Sequence, residues 1–232
     1  MKVVAIVPAR SGSKSVPHKN MRRIEGQSLL ERAVRIGLAC ESIDDVYITT
    51  DSPEYEVEAL NAGAKSLGLR PTHLASDGAT TVDVILDLLP RLPHTYDALV
   101  LLQPTGPVRT VSQIETTIQM LKEDRLLEGV ISVLRITEPH PYKLQSIRED
   151  GYLTPFLPVY KGDFPRQSLP AVYQLTGAIY TIRTAIFIEQ QTFAPQRTRP
   201  LIQDIAVNID SEEDFLLLET LVQAGKLSLE TH

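Results

Sequence analysis

Hydrophobic positions along the chain follow two different periods. Apart from Lys2, residues 1–8 form an apolar run without alternation, which is typical of a strand buried on both faces of a parallel sheet. From Ser28 to about Cys40 the apolar residues recur at helical spacing, and a second strand pattern follows at residues 46–50. This alternation predicts an α/β fold with a doubly wound, mostly parallel sheet.

The same alternation continues towards the carboxyl end of the chain. It predicts helices near residues 53–62, 80–89, 111–122, 183–189 and 211–224, and strands at residues 98–102, 177–182 and 205–209. Ser211 and Asp214 have the spacing of an N-terminal capping pair, so the last helix is expected to begin there.

A proline-rich stretch interrupts the pattern between residues 139 and 173. We therefore predict one α/β domain made of residues 1–138 and 174–232, with residues 139–173 as an inserted arm. Apolar residues within the arm would need cover, which predicts a dimer interface. These residues are Leu153, Phe156, Leu157, Val159 and Phe164.

Composition narrows the classes of protein that the chain can belong to. A chain of 232 residues with 43% hydrophobic residues can bury the core of one large domain. Its net charge of −6 argues against a nucleic-acid partner. We find no apolar stretch of about eighteen residues and no signal-peptide pattern, so we expect no membrane partner and a cytoplasmic location.

The cysteine and the histidines exclude several kinds of site. Cys40 is the single cysteine and lies in an apolar helical pattern, where a buried thiol is expected. The histidines have neither metal-ligand spacing nor a serine partner in a nucleophile-elbow pattern. The sequence therefore lacks the catalytic residues that a metal-dependent or serine hydrolase would need.

The loop after the first strand is cationic in an otherwise acidic protein. Gly12 is the only glycine of residues 8–20, so the loop is neither a Walker A loop nor a dinucleotide fingerprint. Its small residues offer backbone N–H groups, and Arg10, Lys14 and Lys19 would suit a triphosphate. A solvated basic loop is the alternative interpretation.

Several motifs occur in a fixed order over nearly the whole chain. They are PARSGSKSVPHKN at residues 8–20, TDS at 50–52, RP at 70–71, ASD at 75–77, LLQPTGPVR at 101–109, RQ at 166–167, GAIY at 177–180 and ID at 209–210. In this order they resemble the acylneuraminate cytidylyltransferases, the synthetases of CMP-sialic acid and of related CMP-nonulosonates. The resemblance implies a Rossmann-like nucleotidyltransferase fold. It also implies attack of the anomeric hydroxyl of an acidic nine-carbon sugar on the α-phosphate of CTP, which releases pyrophosphate.

The resemblance assigns residues to CTP. Arg10, Ser11, Gly12 and Lys14 match the triphosphate loop, and Lys19 is the residue expected to steady charge on the α-phosphate and the leaving group. Asn20, Arg70 and Thr81 match positions near the cytosine and the ribose. Ordinary loop and helix-cap roles are the alternative for Arg70 and Thr81.

The resemblance also assigns residues to the sugar. Gln103, at the carboxyl end of a buried strand, matches a sugar-binding position. Lys143, Arg166 and Gln167 lie in the arm, which in the family forms a homodimer and reaches into the neighbouring active site. Without the resemblance, the two cations would be taken for solvated surface charges.

Three positions depart from the family pattern. The family holds Mg²⁺ with Asp-x-Asp, whereas this chain has Asn208 and Asp210, so one ligand would be a neutral amide oxygen. Near the sugar site, Thr176 replaces an asparagine and Gln174 replaces an arginine. These departures leave the identity of the sugar open.

Two alternative functions remain at this point. One is a related transferase with another sugar or base, such as a Kdo cytidylyltransferase or a guanylyltransferase of amino sugars. The motifs at residues 166–167 and 177–180 favour the sialate branch over the Kdo enzymes. The other is a nucleotide-binding protein without turnover, which is suggested by Asn208.

Overall fold

A computed structural model describes residues 1–12, 16–157 and 169–229 of the chain. The strands are β1 Val3–Pro8, β2 Arg23–Ile24, β3 Gln27–Ser28, β4 Asp45–Thr49, β5 Ala98–Leu101, β6 Gly129–Ile136, β7 Gln145–Ile147, β8 Leu153–Pro155, β9 Val172–Arg183 and β10 Thr198–Gln203. The α-helices are α1 Leu29–Leu38, α2 Pro53–Asn61, α3 Thr81–Leu88, α4 Val111–Glu123, α5 Thr184–Gln190 and α6 Glu212–Gln223. No helix of the described residues is long and apolar enough to cross a membrane.

A central sheet of six strands organises the protein. Its strand order is β10-β6-β9-β5-β1-β4, while β2 pairs with β3 and β7 pairs with β8 in two small hairpins. Strand β9 is antiparallel to both β5 and β6, whereas the other neighbouring strands of the central sheet pair in parallel. The predicted mostly parallel α/β fold is therefore confirmed.

Side chains of β1 alternate between two hydrophobic clusters, one on each face of the sheet. Val3 and Val7 pack into the cluster that contains buried residues of α1, α2 and α4. Val4 and Ile6 pack into the cluster that contains Phe187 of α5 and buried residues of α3. Because helices cover both faces, β1 is apolar without a break, as the sequence pattern predicts.

Polar caps fix where the helices start. Ser28, Ser52, Thr80 and Thr110 each accept a backbone hydrogen bond three residues ahead, at the N-termini of α1 to α4. Ser211 and Asp214 form the predicted reciprocal capping box at the start of α6.

The prediction of a strand at residues 205–209 is wrong. This segment is irregular, and Ile209 N donates to Thr105 O at 2.8 Å instead of joining a ladder. Val207 and Ile209 are buried with Phe215 of α6, so their alternation reflects burial of an irregular segment rather than pairing. The neighbouring strand is β10, which Pro200 conceals in the sequence pattern because proline is confined to edge strands. The prediction also omits β6, although its residues have the composition of a buried strand.

The predicted arm is connected to the central sheet through the end of β6 and the start of β9. Beyond a β-bulge, the first residues of β9 pair with the end of β6, from Val133↔Leu175 to Ile136↔Val172. The β7–β8 hairpin lies between these two strands in the chain, and residues 158–168 fall outside the described ranges. The predicted arm boundary at residues 173–174 therefore lies inside β9.

Candidate active site

A cleft of about 290 Å³ lies at the carboxyl ends of two central strands. Pro8 ends β1, and residues 103–105 follow β5, which pairs with β1 in parallel, so both strands deliver their ends to one edge of the sheet. The start of α3 forms a further part of the wall. Six of the predicted site residues line this cleft: Arg10, Lys19, Asn20, Arg70, Thr81 and Gln103.

One part of the cleft wall contains buried polar groups that lack partners in the described part of the chain. Arg70 is 7% exposed and Asn20 is 5% exposed. The Nε and Nη2 atoms of Arg70 and the Oδ1 atom of Asn20 have no hydrogen-bond partner there. Burial lowers the pKa of Arg70, and the nearby charge of Asp51 only partly opposes this effect. Buried unpaired groups are costly, so this wall is suited to a ligand with complementary donors and acceptors.

Besides the buried Arg70, the cleft has two more exposed cations, Lys19 and Arg10, and each faces a carboxylate. Lys19 lies on a short 3₁₀ turn, and its Nζ is 3.3 Å from Asp210 Oδ1 and donates to Ile209 O at 3.0 Å. Arg10 Nη1 lies 3.0 Å from Asp77 Oδ1. A phosphate-bearing ligand would exchange these carboxylates for phosphate oxygens, which bind the same donors.

Asp51 joins the start of the loop to Arg70. Its carboxylate accepts hydrogen bonds from Ser11 N at 2.9 Å and Ser11 Oγ at 2.8 Å, and Arg70 Nη2 lies 3.6 Å away. Burial by itself would raise the pKa of Asp51, but the hydrogen bonds from Ser11 and the charge of Arg70 outweigh it and hold the pKa below its usual value. The polar groups of Ser11 are thus turned towards Asp51, a residue that the sequence analysis quotes only as part of the TDS motif.

Gln103 and Asn208 meet at a glycine. A Cβ atom on Gly177 would lie 3.2 Å from Gln103 Oε1 and 3.3 Å from Asn208 Oδ1, and the backbone φ of Gly177 is +73°. A Cβ on Gly106 would lie 2.7 Å from Gly177 O. The loop after β5 and the middle of β9 therefore approach each other at distances that only glycine allows.

Arg109 lies beneath this contact. It is 4% exposed, and its Nη1 donates to Gln103 O at 2.9 Å and to Ala178 O at 2.7 Å. Burial lowers the pKa of Arg109 to about 9. Arg109 belongs to the motif of residues 101–109, but local sequence does not indicate its role, because an arginine in a loop is usually a surface charge.

The residues predicted to bind metal lie next to Lys19. Asp210 Oδ2 accepts a hydrogen bond from Asn208 Nδ2 at 2.6 Å, and its other oxygen faces Lys19. The carboxylate of Asp214 caps α6 by accepting from Asp210 N and Ser211 N. The described ranges contain no group of three His, Cys, Asp or Glu side chains that could hold a metal.

These donors suit an ion that the substrate helps to bind. Asp210 is 68% exposed at its side chain, and one carboxylate is what Mg²⁺ commonly takes from a protein when phosphates and water supply its other ligands.

Several predicted residues do not line the cleft. Thr176 is buried, and its hydroxyl lies 2.6 Å from Ser132 Oγ and 2.8 Å from Gln203 Oε1. Lys143, on the arm, forms an ion pair with Glu138 at 2.6 Å. Gly12 is exposed, and no other atom lies within 4 Å of where its Cβ would be. The predictions for Lys14, Arg166 and Gln167 lie outside the described residues.

A mostly parallel sheet with helices on both faces, and a cationic cleft at its carboxyl edge, are the features of an α/β protein that binds an anionic ligand. The chain belongs to the cytidylyltransferase family, whose family model matches residues 4–227. Curated relatives at 26–32% identity include CMP-N,N'-diacetyllegionaminic acid synthases and an N-acylneuraminate cytidylyltransferase.

Two relatives illustrate the likeness. The chain is 29% identical to a CMP-N,N'-diacetyllegionaminic acid synthase of Legionella pneumophila, over 99% of this chain and 100% of the relative. It is 32% identical to an N-acylneuraminate cytidylyltransferase of Escherichia coli O18:K1:H7, over 96% of this chain. The match covers 52% of that relative, so the chain spans about half of its length.

Solved structures share the fold at lower identity. A CMP:2-keto-3-deoxy-manno-octonic acid synthetase complexed with CTP matches 97% of this chain and 100% of its own, with a TM-score of 0.72 and 17% identity. A 4-diphosphocytidyl-2C-methyl-D-erythritol synthase from Anaerococcus prevotii matches 96% of both chains, with a TM-score of 0.66 and 12% identity. At these identities the likeness concerns the fold alone.

Proposed function

We propose that this chain transfers CMP from CTP to an acidic nine-carbon sugar, a nonulosonic acid such as N-acetylneuraminate, legionaminate or pseudaminate. The oxygen of the anomeric hydroxyl forms a bond to the α-phosphorus, and the bond from that phosphorus to the bridging oxygen of the β-phosphate breaks. Pyrophosphate leaves, and the hydroxyl proton is lost. Membership of the cytidylyltransferase family and relatives named for legionaminic and neuraminic acids support this proposal.

The observation that carries the proposal is the part of the cleft wall in which Asn20 and Arg70 have buried atoms without a hydrogen-bond partner among the described residues. Asn20 Oδ1 is a buried acceptor and Arg70 offers buried donors. Cytosine carries an amino donor beside acceptor atoms, so it can satisfy both side chains at once. In this arrangement Thr81, which lines the cleft at the start of α3, would lie on the ribose side of the base. UTP lacks the amino donor and would leave Asn20 Oδ1 unpaired.

The cationic side of the cleft would hold the triphosphate. Arg10 and Lys19 would exchange Asp77 and Asp210 for phosphate oxygens, and Lys14 and the backbone N–H of Gly12 would complete the loop. Ser11 would support the loop indirectly, because its N–H and hydroxyl both donate to Asp51. Lys19 steadies the negative charge that develops on the α-phosphate and the leaving group. Phosphoryl transfer depends mainly on such positioning and charge neutralisation.

Asp210 would hold Mg²⁺, and the side-chain amide oxygen of Asn208 would join it after rotation of the amide, whose nitrogen donates to Asp210 in this structure. When bound, the ion would neutralise charge on the phosphates. Because Asn208 contributes no charge, the site would depend on the nucleotide for much of its affinity. The proximity of Asp210 to Lys19 supports this assignment.

The sugar would lie beyond Gln103, which lines the cleft next to Gly177. Thr176 would act indirectly, through the buried hydrogen bonds of its hydroxyl. Lys143, Arg166 and Gln167 would act across a homodimer, from the arm of one subunit into the active site of the other. We place the reaction in the cytoplasm, where CTP is made.

A substrate panel tests the proposal. The purified chain is incubated with CTP, UTP or GTP and with N-acetylneuraminate, legionaminate, pseudaminate, Kdo or amino-sugar phosphates, with and without Mg²⁺. We expect pyrophosphate release and a CMP-sugar mass with CTP and a nonulosonic acid. Turnover with Kdo alone, or with GTP and an amino-sugar phosphate, would replace the proposal with a related transferase. Binding of CTP without turnover on any sugar would identify a nucleotide-binding protein instead.

A further inference from the structure

Arg109 is a buried cation that the proposed chemistry does not use. No ion pair of the described residues includes Arg109, so carbonyl oxygens take the place of a carboxylate partner. Placing a guanidinium in the interior without a carboxylate is unfavourable, since the desolvation of the charge is not balanced by an opposite charge. An apolar side chain would avoid that cost, so the presence of an arginine here indicates that the hydrogen bonds of its guanidinium have a role.

These contacts lie where the backbone ladders stop. The pairing of β5 with β9 ends at Leu101↔Tyr180, and the pairing of β9 with β6 is irregular between Ile131 and Val133. Residues 176–179 of β9 thus lack regular partners on either side. Arg109 Nη1 donates to Ala178 O there and to Gln103 O in the loop that follows β5. A side chain therefore joins this loop to β9 beyond the point where the ladder between β5 and β9 ends.

The strand contact fixes the position of a side chain in the cleft. The amide oxygen of Gln103 lies 3.2 Å from the position of a Cβ on Gly177, directly before Ala178. If the carbonyls of Gln103 and Ala178 separated, the amide would move away from Gly177.

We propose that Arg109 is a positioning residue that holds Gln103 against the Gly177–Ala178 segment and so sets the affinity for the sugar. This inference rests on the proposed function, in which Gln103 contacts the sugar.

Kinetics of two variants test this role. We expect Arg109→Met to raise the KM for the sugar about tenfold, as for the loss of one well-placed hydrogen bond, while the Kd for CTP changes less than about twofold. Arg109→Lys should recover part of the loss, because an ammonium can reach a carbonyl but not with the same geometry. Equal losses of affinity for the sugar and for CTP would overturn the proposal.

A double-mutant cycle separates positioning from general stability. If Arg109 acts through Gln103, then Arg109→Met should have little further effect on the KM for the sugar in a Gln103→Ala background. Independent, additive effects would contradict the inference. Arg32→Met is a matched control, since Arg32 is also a buried arginine bonded to backbone carbonyls, of Ile24 and Leu229, and does not line the cleft. We expect it to lower the thermal midpoint without changing the ratio of the two affinities.

A crystal structure of Arg109→Met gives a readout that does not depend on turnover. We expect Gln103 to leave Gly177 while Lys19 keeps its contacts with Ile209 and Asp210. An unmoved Gln103 would overturn the inference even if the substrate panel succeeds. If the wild-type chain turns over no sugar, the proposed function fails, and the displacement of Gln103 still decides whether Arg109 positions it.

Discussion

Lys19 contacts the segment that carries the predicted metal ligands, through Ile209 O and Asp210. We expect Lys19→Ala to lower kcat by about two to three orders of magnitude, because it removes the positive charge proposed to stabilise the reacting phosphates. Pyrophosphate release measures the loss, and circular dichroism checks that the variant is folded. Lys65→Ala is the control, since Lys65 is an exposed lysine that also pairs with an aspartate, Asp45, and does not line the cleft. Near-normal turnover by folded Lys19→Ala would remove Lys19 from the mechanism.

Substitutions at Asp210 and Asn208 should have opposite effects on the proposed Mg²⁺ site. Asp210→Asn should reduce kcat about a hundredfold or more, because it removes the carboxylate proposed to hold Mg²⁺. Asn208→Asp should tighten Mg²⁺ binding and leave activity similar or higher, because it adds a charged ligand beside Asp210. Calorimetry with and without CTP measures both variants. A fully active Asp210→Asn enzyme, or tight Mg²⁺ binding by the wild type without CTP, would contradict this assignment.

Asp51 should make the stability of the protein depend on acidic pH. The pKa of Asp51 is lowered in the folded chain, so its ionised form stabilises the fold above the unfolded value of about 4. That contribution is lost as the pH falls through the lower folded value. We expect Asp51→Asn to unfold more easily at neutral pH and to lose stability less steeply below about pH 4. Urea unfolding at several pH values measures the slope, and an unchanged slope would show that Asp51 does not contribute.

At the scale of elements, sequence patterns locate helices better than strands. Helices such as α1 and α6 combine an apolar stripe with a serine cap, and both marks are local. Strands require a partner, and residues 205–209 alternate as a strand does without having one. Strand β10 has a partner in β6 but carries Pro200 and Arg199, which hide it.

Site residues divide in a similar way. The position of Gln103 at the end of a buried strand, and the cationic loop before Lys19, follow from local sequence. Contacts across the sheet do not, because they depend on how distant segments meet. The hydrogen bond from the Ser11 hydroxyl to Asp51 joins residues 40 positions apart, and the hydrogen bond from Arg109 to Ala178 O joins residues 69 positions apart.

At the scale of the whole molecule, the arm exposes apolar side chains. The exposed ones include Ile147, Tyr152, Leu153 and Phe156 of the β7–β8 region and Tyr173 and Leu175 of β9. We expect a homodimer at micromolar concentration, because a second copy would cover this surface.

Light scattering measures the mass of the wild type and of two variants. Leu153→Asp should dissociate the dimer and reduce turnover, because the proposed active site needs the arm of the neighbouring subunit. Leu216→Asp is the control, since Leu216 is an exposed leucine on α6, outside the arm. A wild type that is monomeric at micromolar concentration would contradict the dimer.

The pairing of Arg10 with Asp77 and of Lys19 with Asp210 gives the cleft its own internal counterions. An anion that binds these cations has to compete with both carboxylates, so its attraction to the two cations must exceed its repulsion by Asp77 and Asp210. A monovalent anion such as chloride is poorly suited to this competition, whereas a polyphosphate can satisfy both cations with one molecule. The cleft therefore discriminates by the number of charges that a ligand carries, before any base or sugar is recognised.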